Sequence, residues 1–367
     1  MASIRKWGNG YQVRYRDPNG KQRAKTFDKK RDADTFMVTT EVDNRTDAWV
    51  APEGGRILLR DWAKDWEATL VGVRSTTRER DLSMLRNHVL PRFGDLPLAR
   101  VEHLDVVRWV ADLSKHLAPS SVHKCHQILA KLLDAAVNAR KIRINAARGV
   151  RLPQVIREEQ RFLEPVQVSA IADAIDQRYR HAVLLMAWCG LRIGEVGGLR
   201  WDDVDMRARC LTVERTVVEV AGGIDFHEPK TRSGRRRVPL PKIVVEALLA
   251  APKDSIYVVP APGGGPLRVR AWVSRIWNPA REAAGLDGLT PHHLRHTAVA
   301  LWIAAGATPN EIAARAGHAN VNVVLNVYGH LYESDRDALT DALDRMARTT
   351  VDAATPIAAR RGRSTGR

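Results

Sequence analysis

Residues 289–330 read LTPHHLRHTAVALWIAAGATPNEIAARAGHANVNVVLNVYGH and carry the signals for three short helices. Thr290 followed by a proline is an N-cap and first-turn pair, which predicts a helix over residues 291–305 that stops at a glycine. A second Thr-Pro pair, with a glutamate three residues after the threonine, is a capping box and predicts a helix over residues 309–316. A third helix carries Tyr328. The polar side chains of this stretch therefore lie at helix starts, in turns or on one face, where a polyanion could reach them.

The chemistry of these side chains suits the transfer of a phosphoryl group. His292 and Arg295 are three residues apart, which places them on one face of the first helix. Upstream, the segment AWCGLRIGEVGGLRW supplies Arg192 directly after a helix stop and Glu195 at the start of the next helix. A guanidinium grips two oxygens of a phosphodiester at once. The phenol of Tyr328, with an ordinary pKa of about 10, becomes a nucleophile only if cations and a base help to remove its proton.

Four segments, taken in order over residues 192–328, resemble the signature of the tyrosine recombinases, the phage integrase family. They are GLRIGE with Arg192 and Glu195, PKTRSGRRRVPL with Lys230, HHLRH with His292 and Arg295, and AGH with His318 followed by NVYGHL with Tyr328. One such segment occurs easily by chance, whereas four in the right order do not. Together with a basic amino-terminal unit, they make the chain similar to the integrases of actinobacteriophages that carry an arm-binding domain.

The resemblance implies a reaction that breaks and rejoins DNA without a metal ion, a cofactor or ATP. Tyr328 would attack a DNA phosphate, form a 3′-phosphotyrosyl link and release a 5′-hydroxyl. By the same resemblance, Arg192 and Arg295 would hold the phosphate and His318 would bond to it. Lys230 would protonate the leaving 5′ oxygen, His292 would act in proton transfer, and Glu195 would orient its neighbours.

The composition favours a nucleic-acid partner. The 367 residues include 58 Lys and Arg against 42 Asp and Glu, a net charge of +16, which indicates a polyanionic partner. The cysteines Cys125, Cys189 and Cys210 have neither metal-ligand nor disulfide spacing, so we expect buried reduced thiols in a cytosolic protein. No signal peptide is recognisable, and the longest apolar stretch, AVLLMAWCG, is far shorter than the roughly 20 residues that cross a bilayer. We therefore expect no membrane partner.

Residues 1–55 are predicted to form a small arm-type DNA-binding domain. The segments IRKW, YQVRYR and KQRAKTF predict three strands, the last two joined by the turn DPNG, and Asp28 is placed to cap a following helix. Basic residues are interleaved with Trp7, Tyr11 and Tyr15. This pattern suits a sheet laid into a DNA groove, and an ordinary solvated hairpin gives the same pattern.

Residues 56–155 are predicted to form a helical, SAM-like core-binding domain. Apolar residues recur near a 3.6-residue period in LLRDWAKDWEATL, TTRERDLSMLRNHVL, HLDVVRWVADLSKHL and PSSVHKCHQILAKLLDAAVNARK. We interpret Trp62, Trp66 and Trp109 as core residues and Pro91 as a turn marker. The polar stretch RGVRLPQVIREEQRF then predicts a linker that lets two domains close around a duplex.

Residues 156–350 are predicted to form a mixed α/β catalytic domain, and residues 351–367 a basic flexible tail. The whole chain is thus expected to be a multidomain, mainly helical protein with small sheets, of the α+β class. The predicted strands of the catalytic domain lie near residues 210–220, 225–229 and 236–240. Lys230 would lie in the loop of a hairpin formed by the last two strands, within a run of basic surface residues that includes Arg236.

Some details of the site have alternatives. Tyr332 lies four residues beyond Tyr328 and shares its face if the helix continues, so it is the rival nucleophile. The neighbouring histidines that we interpret as structural are His293, His296 and His330, of which His296 is placed to support the site. Gly197 and Gly198 each cost a helix roughly 1 kcal/mol against alanine, so the helix after the first arginine is expected to be short.

Two other classes of protein fit parts of the sequence. A DNA-binding protein without activity fits the charge, but binding alone needs no Tyr328. A zinc hydrolase fits the i, i+4 spacing of His292 and His296, but the adjacent glutamate of the HExxH pattern is missing. Within the family, integration and excision of a phage or mobile element stand beside chromosome-dimer resolution, and the amino-terminal unit favours integration.

The resemblance also implies a set of partners. These are double-stranded attachment-site DNA with core and arm sites, a homotetramer at synapsis, a host DNA-bending factor and an excisionase. They place the protein on the nucleoid, in the cytoplasm of a bacterial host cell.

Overall fold

A computed structural model of the chain describes residues 2–17, 20–45, 50, 53–73, 75–156, 160–220, 222–228 and 234–353. The chain forms two compact units, residues 1–157 and 158–367. In these described ranges no helix is long and apolar enough to cross a membrane.

The amino-terminal part of the first unit is a three-stranded antiparallel sheet with one helix. The strands are β1 Ser3–Trp7, β2 Gly10–Arg16 and β3 Gln22–Phe27, in the order β1-β2-β3, and the helix is α1 Lys30–Arg45. Val13 and Tyr15, which alternate along the middle strand, are buried in one cluster with Ala33 of the helix, as the two-residue period of a strand requires. The three predicted strands and the helix are confirmed. Pro18 and Asn19 of the predicted turn lie outside the described residues.

The rest of the first unit is mainly helical in its described residues. They are α2 Leu59–Ala68, α3 Ser75–Met84, α4 Leu90–Phe93, α5 His103–Leu113 and α6 Pro119–Asn138. Their core includes Leu59, Phe93 and Leu132, and the predicted core residues Trp62, Trp66 and Trp109 are buried with them. The helical prediction for this part of the chain is confirmed, and its apolar periodicity gives the reason.

Pro91 does not mark a turn, contrary to the prediction. It lies at the second position of α4, which follows α3 through a π-helical segment, Leu85–Val89. A proline crowds the carbonyl four residues before it and donates no hydrogen bond. That carbonyl belongs to Asn87, inside the wider π-helical turn, so the helix accommodates the proline and ends only at Gly94.

The second unit contains ten helices within its described residues. They are α7 Pro165–Ala174, α8 Arg180–Cys189, α9 Ile193–Gly198, α10 Lys242–Ala250, α11 Val269–Trp272, α12 Asn278–Ala283, α13 Pro291–Ala304, α14 Pro309–Ala316, α15 Asn322–Tyr328 and α16 Arg336–Ala353. A π-helical segment, Val273–Trp277, joins α11 to α12, and a 3-10 segment, Gly329–Asp335, joins α15 to α16. The apolar stretch that contains Cys189 is α8, whose residues are nearly all buried, so it is the central helix of this core.

In the described part of this unit, five short strands form two small sheets beside these helices. They are β4 Val204–Asp205, β5 Cys210–Val213, β6 Thr216–Val220, β7 Gly223–His227 and β8 Arg236–Pro239. One sheet has the order β4-β5-β8 and the other pairs β6 with β7. The predicted hairpin between residues 225–229 and 236–240 is therefore wrong, because β7 and β8 lie in different sheets. Lys230 lies outside the described residues.

The single strand predicted over residues 210–220 is also wrong, and Arg215 explains the break. Leu211, Val213 and Val217 follow one two-residue alternation and are buried, which makes the sequence resemble one strand. Arg215 occupies the third position of that alternation, between Val213 and Val217. Its Nη1 atom donates to Asp203 Oδ2 at 2.5 Å and to the carbonyl of Gly198 at 3.4 Å, so the chain leaves the first sheet at this point.

Candidate active site

The three helices predicted over residues 291–328 are present, and their ends follow the predicted signals. Thr290 caps α13 in a capping box with His293, whose Nδ1 atom lies 3.0 Å from the Thr290 amide nitrogen. Thr308 and Glu311 form the capping box of α14. That helix stops at Gly317, which has a φ of 66°, a left-handed conformation that glycine adopts without strain. These local contacts fix where α13 and α14 begin and end.

Arg295 lies at the centre of the site, on α13. Its side chain is buried, with 3% of its surface exposed. Nη1 donates to the carbonyl of Gly190 at 2.5 Å, and Nη2 donates to the carbonyl of Ala316 at 2.5 Å. These carbonyls are at the carboxyl ends of α8 and α14, so one guanidinium joins α13 to two helix ends. Burial, and then the charge of Arg192, lowers the pKa of Arg295 to about 9, which leaves the group charged at pH 7.

Gly190 allows this contact because it satisfies two requirements at once. Its φ is 67°, and a Cβ atom there would lie 2.6 Å from the ring of Trp302. Only glycine meets both conditions without strain. The predicted helix stop is confirmed, and the close approach of α13 to α8 is its further reason.

His318 contacts Arg295 and retains one buried polar atom without a partner. Arg295 Nη2 lies 3.1 Å from His318 Nε2, and since a guanidinium only donates, that nitrogen accepts. The imidazole proton is therefore on Nδ1, which is buried and has no hydrogen-bond partner within the described part of the chain. Burial, and then the charges of Arg295 and Arg192, lowers the pKa of His318 to about 4. At neutral pH His318 is thus a neutral donor whose N–H is unused.

Glu195 connects the first arginine to the site. It is the third residue of α9 and 4% exposed. Its carboxylate accepts from the Arg192 amide at 2.9 Å and from Arg192 Nη1 at 2.8 Å. Burial opposes ionisation, but hydrogen bonds and charge from Arg236, with the charges of Arg192 and Arg295, outweigh it and lower the pKa of Glu195. The ionised carboxylate holds the half-exposed Arg192 side chain in place.

Arg236 is a residue of the site that sequence reasoning missed. We interpreted it as one of several basic surface residues, and that interpretation is wrong because its side chain is only 5% exposed. Nη1 and Nη2 donate to the two oxygens of Glu195 at 3.1 and 3.0 Å, and Nε donates to the carbonyl of Arg315 at 2.6 Å. The alternation of Arg236 with the buried Val238 on β8 was the signal that could have found it.

Tyr328 is the last residue of α15 and is buried, with 3% of its surface exposed. Its hydroxyl lies 2.5 Å from His296 Nδ1, and its ring packs 6.0 Å from the ring of Phe162. Burial raises the pKa of Tyr328 to about 12, although the charge of Arg295 acts in the opposite direction. The hydroxyl is therefore protonated at neutral pH.

Tyr332 does not share a helical face with Tyr328. The α-helix ends at Tyr328, and the chain continues as a 3-10 segment. The Tyr332 hydroxyl donates to the carbonyl of Ala307 at 3.1 Å. The two tyrosines thus have different partners, and only Tyr328 contacts a histidine of α13 among the described residues.

The remaining histidines surround this arrangement. His292 is exposed on one side, yet packing around its ring, and then the charges of Arg295 and Arg192, lowers its pKa. Its ring meets that of His296 edge to face at 4.7 Å. His330 stacks on Phe162 at 6.3 Å. In the described site, the positive charges of Arg192, Arg236 and Arg295 surround the single carboxylate of Glu195, and His296 and His318 are neutral at pH 7, so the site is matched to an anion.

Two family models match the chain. The model of the phage integrase family matches residues 161–335, which include the whole site described above. The model of the phage integrase N-terminal SAM-like domain matches residues 58–129. The chain belongs to the phage integrase family.

Relatives of this integrase extend along nearly the whole chain. A protein of Mycobacterium tuberculosis named as the prophage phiRv2 integrase is 27% identical over 370 residues, 95% of this chain and 96% of that protein. The integrase of Mycobacterium phage L5 is 26% identical over 351 residues, 89% of this chain and 91% of its own. Family membership makes the chain a DNA breaking and rejoining enzyme of site-specific integration.

Solved structures share the fold of the integrase. The Tn1549 transposon integrase in complex with transposon right end DNA has a TM-score of 0.66 and 22% identity, over 78% of this chain and 100% of that one. A lambda integrase tetramer bound to a Holliday junction has a TM-score of 0.58 and 18% identity, over 85% of this chain and 90% of that one. The predicted fold class, a small sheet unit, a SAM-like helical unit and a mixed catalytic unit, is confirmed.

Proposed function

We propose that the integrase cuts DNA by attack of the Tyr328 hydroxyl on a backbone phosphate. The tyrosine oxygen forms a bond to phosphorus as the bond to the 5′ oxygen breaks, which gives a 3′-phosphotyrosyl link and a free 5′-hydroxyl. One phosphodiester is exchanged for another, so the step needs no ATP. The reversal of the same exchange on a second DNA end joins the strands and integrates or excises a phage or mobile element.

The observation that carries this proposal is the unused N–H of His318 beside Arg295. A buried donor without an acceptor costs about 1–3 kcal/mol, so a site that keeps one is suited to a ligand that supplies an acceptor. A non-bridging phosphate oxygen is such an acceptor. Arg192 and Arg295 add charge-assisted donors around the same position, and together these groups stabilise the charge that develops on the phosphate in the transition state.

Proton transfer is assigned to two further residues. Lys230 protonates the leaving 5′ oxygen, and His292, exposed at the surface of the site, takes part in proton transfer. Glu195 holds Arg192, and Arg236 holds Glu195, so these two act by positioning. With the guanidinium groups of Arg192 and Arg295 facing the phosphate, the charge stabilisation that a metal ion supplies in other phosphoryl-transfer enzymes would come here from the chain itself.

The test is to trap the covalent intermediate. Wild type, Tyr328→Phe and Tyr332→Phe are incubated in EDTA with nicked duplexes that carry the core attachment site, and SDS-resistant protein–DNA complexes are measured. We expect the complex in wild type and Tyr332→Phe and none in Tyr328→Phe. A complex that survives in Tyr328→Phe, or that needs an added metal ion, would contradict the proposal.

The other parts of the chain are assigned by the same reasoning. We propose that residues 1–55 bind arm sites, residues 56–155 bind the core site and residues 156–350 catalyse. Of the predicted basic tail, residues 351–353 belong to α16 and residues 354–367 lie outside the described residues. The enzyme would act as a homotetramer at synapsis, on the chromosome in the cytoplasm of its bacterial host. A host DNA-bending factor and an excisionase would set the architecture and direction of the complex.

The assignment of the arm domain is tested on the sheet. Arg5 and Arg14 both donate to the side-chain oxygen of Gln12, on the strands β1 and β2. Replacing both arginines by alanine should leave core-site cleavage intact and reduce integrative recombination, with a shallower dependence of arm-site binding on salt. Lys30→Ala on the helix α1 is the control. An unchanged rate of integrative recombination in the double variant would contradict the assignment of residues 1–55 to arm-site binding.

A further inference from the structure

The nucleophile has a proton acceptor already in contact, and it is not one of the histidines assigned above. His296 Nδ1 lies 2.5 Å from the Tyr328 hydroxyl. His292, one turn earlier on the same helix, meets the ring of His296 edge to face rather than the phenol oxygen. Because a general base must be within hydrogen-bond reach of the proton it removes, the geometry favours His296.

The direction of this hydrogen bond follows from the charges around His296. Among the described residues, the titratable groups that act on it are His292, His293 and Arg295 on its own helix, Tyr328 on α15 and His318 in the turn after α14. Burial, and then His292, His293 and Arg295, lowers the pKa of His296 to about 4. The imidazole is therefore neutral at pH 7, so the phenol donates and Nδ1 accepts.

Packing holds the phenol in this orientation. The centroid of the Tyr328 ring lies 6.0 Å from that of Phe162 and 5.8 Å from that of His296. Phe162 is fixed in turn, because the amide of the next residue, Leu163, donates to the hydroxyl of Thr297 at 3.0 Å. Thr297 directly follows His296, so one stretch of α13 places both the acceptor and the surface against which the nucleophile packs.

We propose that His296 is the general base of strand cleavage and the general acid of strand joining, acting directly on the oxygen of Tyr328. In cleavage the O–H bond of Tyr328 breaks and its proton moves to His296 Nδ1, while the tyrosine oxygen bonds to phosphorus and the bond to the 5′ oxygen breaks. In joining, the imidazolium returns the proton to the departing tyrosine oxygen. This inference rests on the proposed function, because it needs Tyr328 as the nucleophile.

Binding of DNA makes His296 a better acceptor. In the free protein the charge of Arg295 disfavours protonation of the imidazole. A phosphate bound at Arg295 and Arg192 brings negative charge into the same site, which opposes that effect and raises the affinity of His296 for a proton. The same phosphate therefore supplies the target of the attack and strengthens the base that starts it.

The test compares His296→Asn with His293→Asn in single-turnover cleavage of nicked core-site duplexes. An asparagine oxygen still accepts the phenol hydrogen bond but takes up no proton near neutral pH. General acid–base catalysis contributes about 10²–10⁴-fold, so we expect His296→Asn to cleave at least about 100-fold more slowly at pH 7, with the affinity for DNA unchanged. His293 caps the same helix, so His293→Asn is the control, and its cleavage rate should be within a few fold of the wild-type rate.

The dependence of the rate on pH separates a base from a positioning residue. Without His296 the reaction needs the phenolate, so the rate of His296→Asn should rise about tenfold per pH unit, while wild type levels off above the pKa of His296 in the complex. Free imidazole should partly restore His296→Ala. A 5′-bridging phosphorothiolate, whose sulfur leaves without a proton, should not restore His296→Asn.

Each failure has its own meaning. If His296→Asn cleaves as fast as wild type, or if the rates of the two proteins have parallel pH profiles, the role of His296 is overturned and the proposed function stands. Restoration by the phosphorothiolate would assign His296 to the leaving group and also overturn that role. Absence of a covalent complex in wild type would instead remove the proposed function on which this inference rests.

Discussion

Replacing Arg236 by alanine should destabilise the catalytic unit strongly, because it leaves the carboxylate of Glu195 buried with one partner fewer. Both side chains are nearly inaccessible, at 5% and 4% exposed, and they share two hydrogen bonds. Removing one partner of a buried ion pair costs about 3–5 kcal/mol. Arg192 still bonds to Glu195, so we expect the lower end, about 3 kcal/mol. The neighbouring Arg235 gives a matched control.

Arg235 pairs with Glu214 at the surface, with 71% of the Arg235 side chain exposed, and such pairs contribute about 0–1 kcal/mol. For a unit as large as residues 158–367, each kcal/mol lost from the free energy of unfolding lowers Tm by about 2–4 °C. Scanning calorimetry should therefore show Tm for this unit about 6–12 °C lower in Arg236→Ala and within about 4 °C of wild type in Arg235→Ala. Equal shifts in the two variants would refute the reasoning, because burial would then not distinguish the two pairs.

Two further outcomes follow from the site and its supports. The stability of the catalytic unit should fall as the pH drops from about 6.5 to about 4. His296 and His318 have pKa values near 4 when folded and near 6.5 when unfolded, so the unfolded chain binds more protons in this window. Calorimetry across this range should show a smaller loss of stability in His318→Asn, and the same dependence of stability on pH in this variant and in wild type would contradict this account. Gly197→Ala should lower the free energy of unfolding by about 1–3 kcal/mol in chemical denaturation, since the new Cβ would lie 2.7 Å from Val217 Cγ1. Gly223→Ala is the control and should be close to neutral, because a Cβ there meets no atom within 4 Å. Similar losses of stability in the two variants would count against the packing argument.

The helix ends of the site were predictable because their signals are local. Thr290 caps α13 through a contact three residues away, and Gly317 stops α14 by its own left-handed backbone. Gly197 and Gly198 are the last two residues of α9, which is short as predicted, and the close approach of β6 is a further reason for glycine at Gly197. Signals of this kind depend on neighbours in the chain and can be recognised in any sequence.

The pairing of strands was not predictable, and neither was the partner of Arg236. The alternation over residues 210–220 is continuous, yet Arg215 directs the chain from one sheet to the other through contacts with Asp203 and Gly198. Arg236 becomes a buried residue only because Glu195, 41 residues earlier in the chain, supplies its partner. The alternation of Arg236 with Val238 places it on the buried face of β8, but a basic run gives no sign of the distant carboxylate that pairs with it.

The sequence by itself determined the family of this integrase and the set of residues from which its site is proposed, because their types, order and local contexts are written along the chain. The tertiary structure decided which of them meet. It brought His318 to Arg295 and His296 to Tyr328, and it gave Tyr332 a different partner. The reason is physical: caps and stops arise within one helical turn, whereas the burial and charge that set a pKa or orient a proton come from helices distant in sequence.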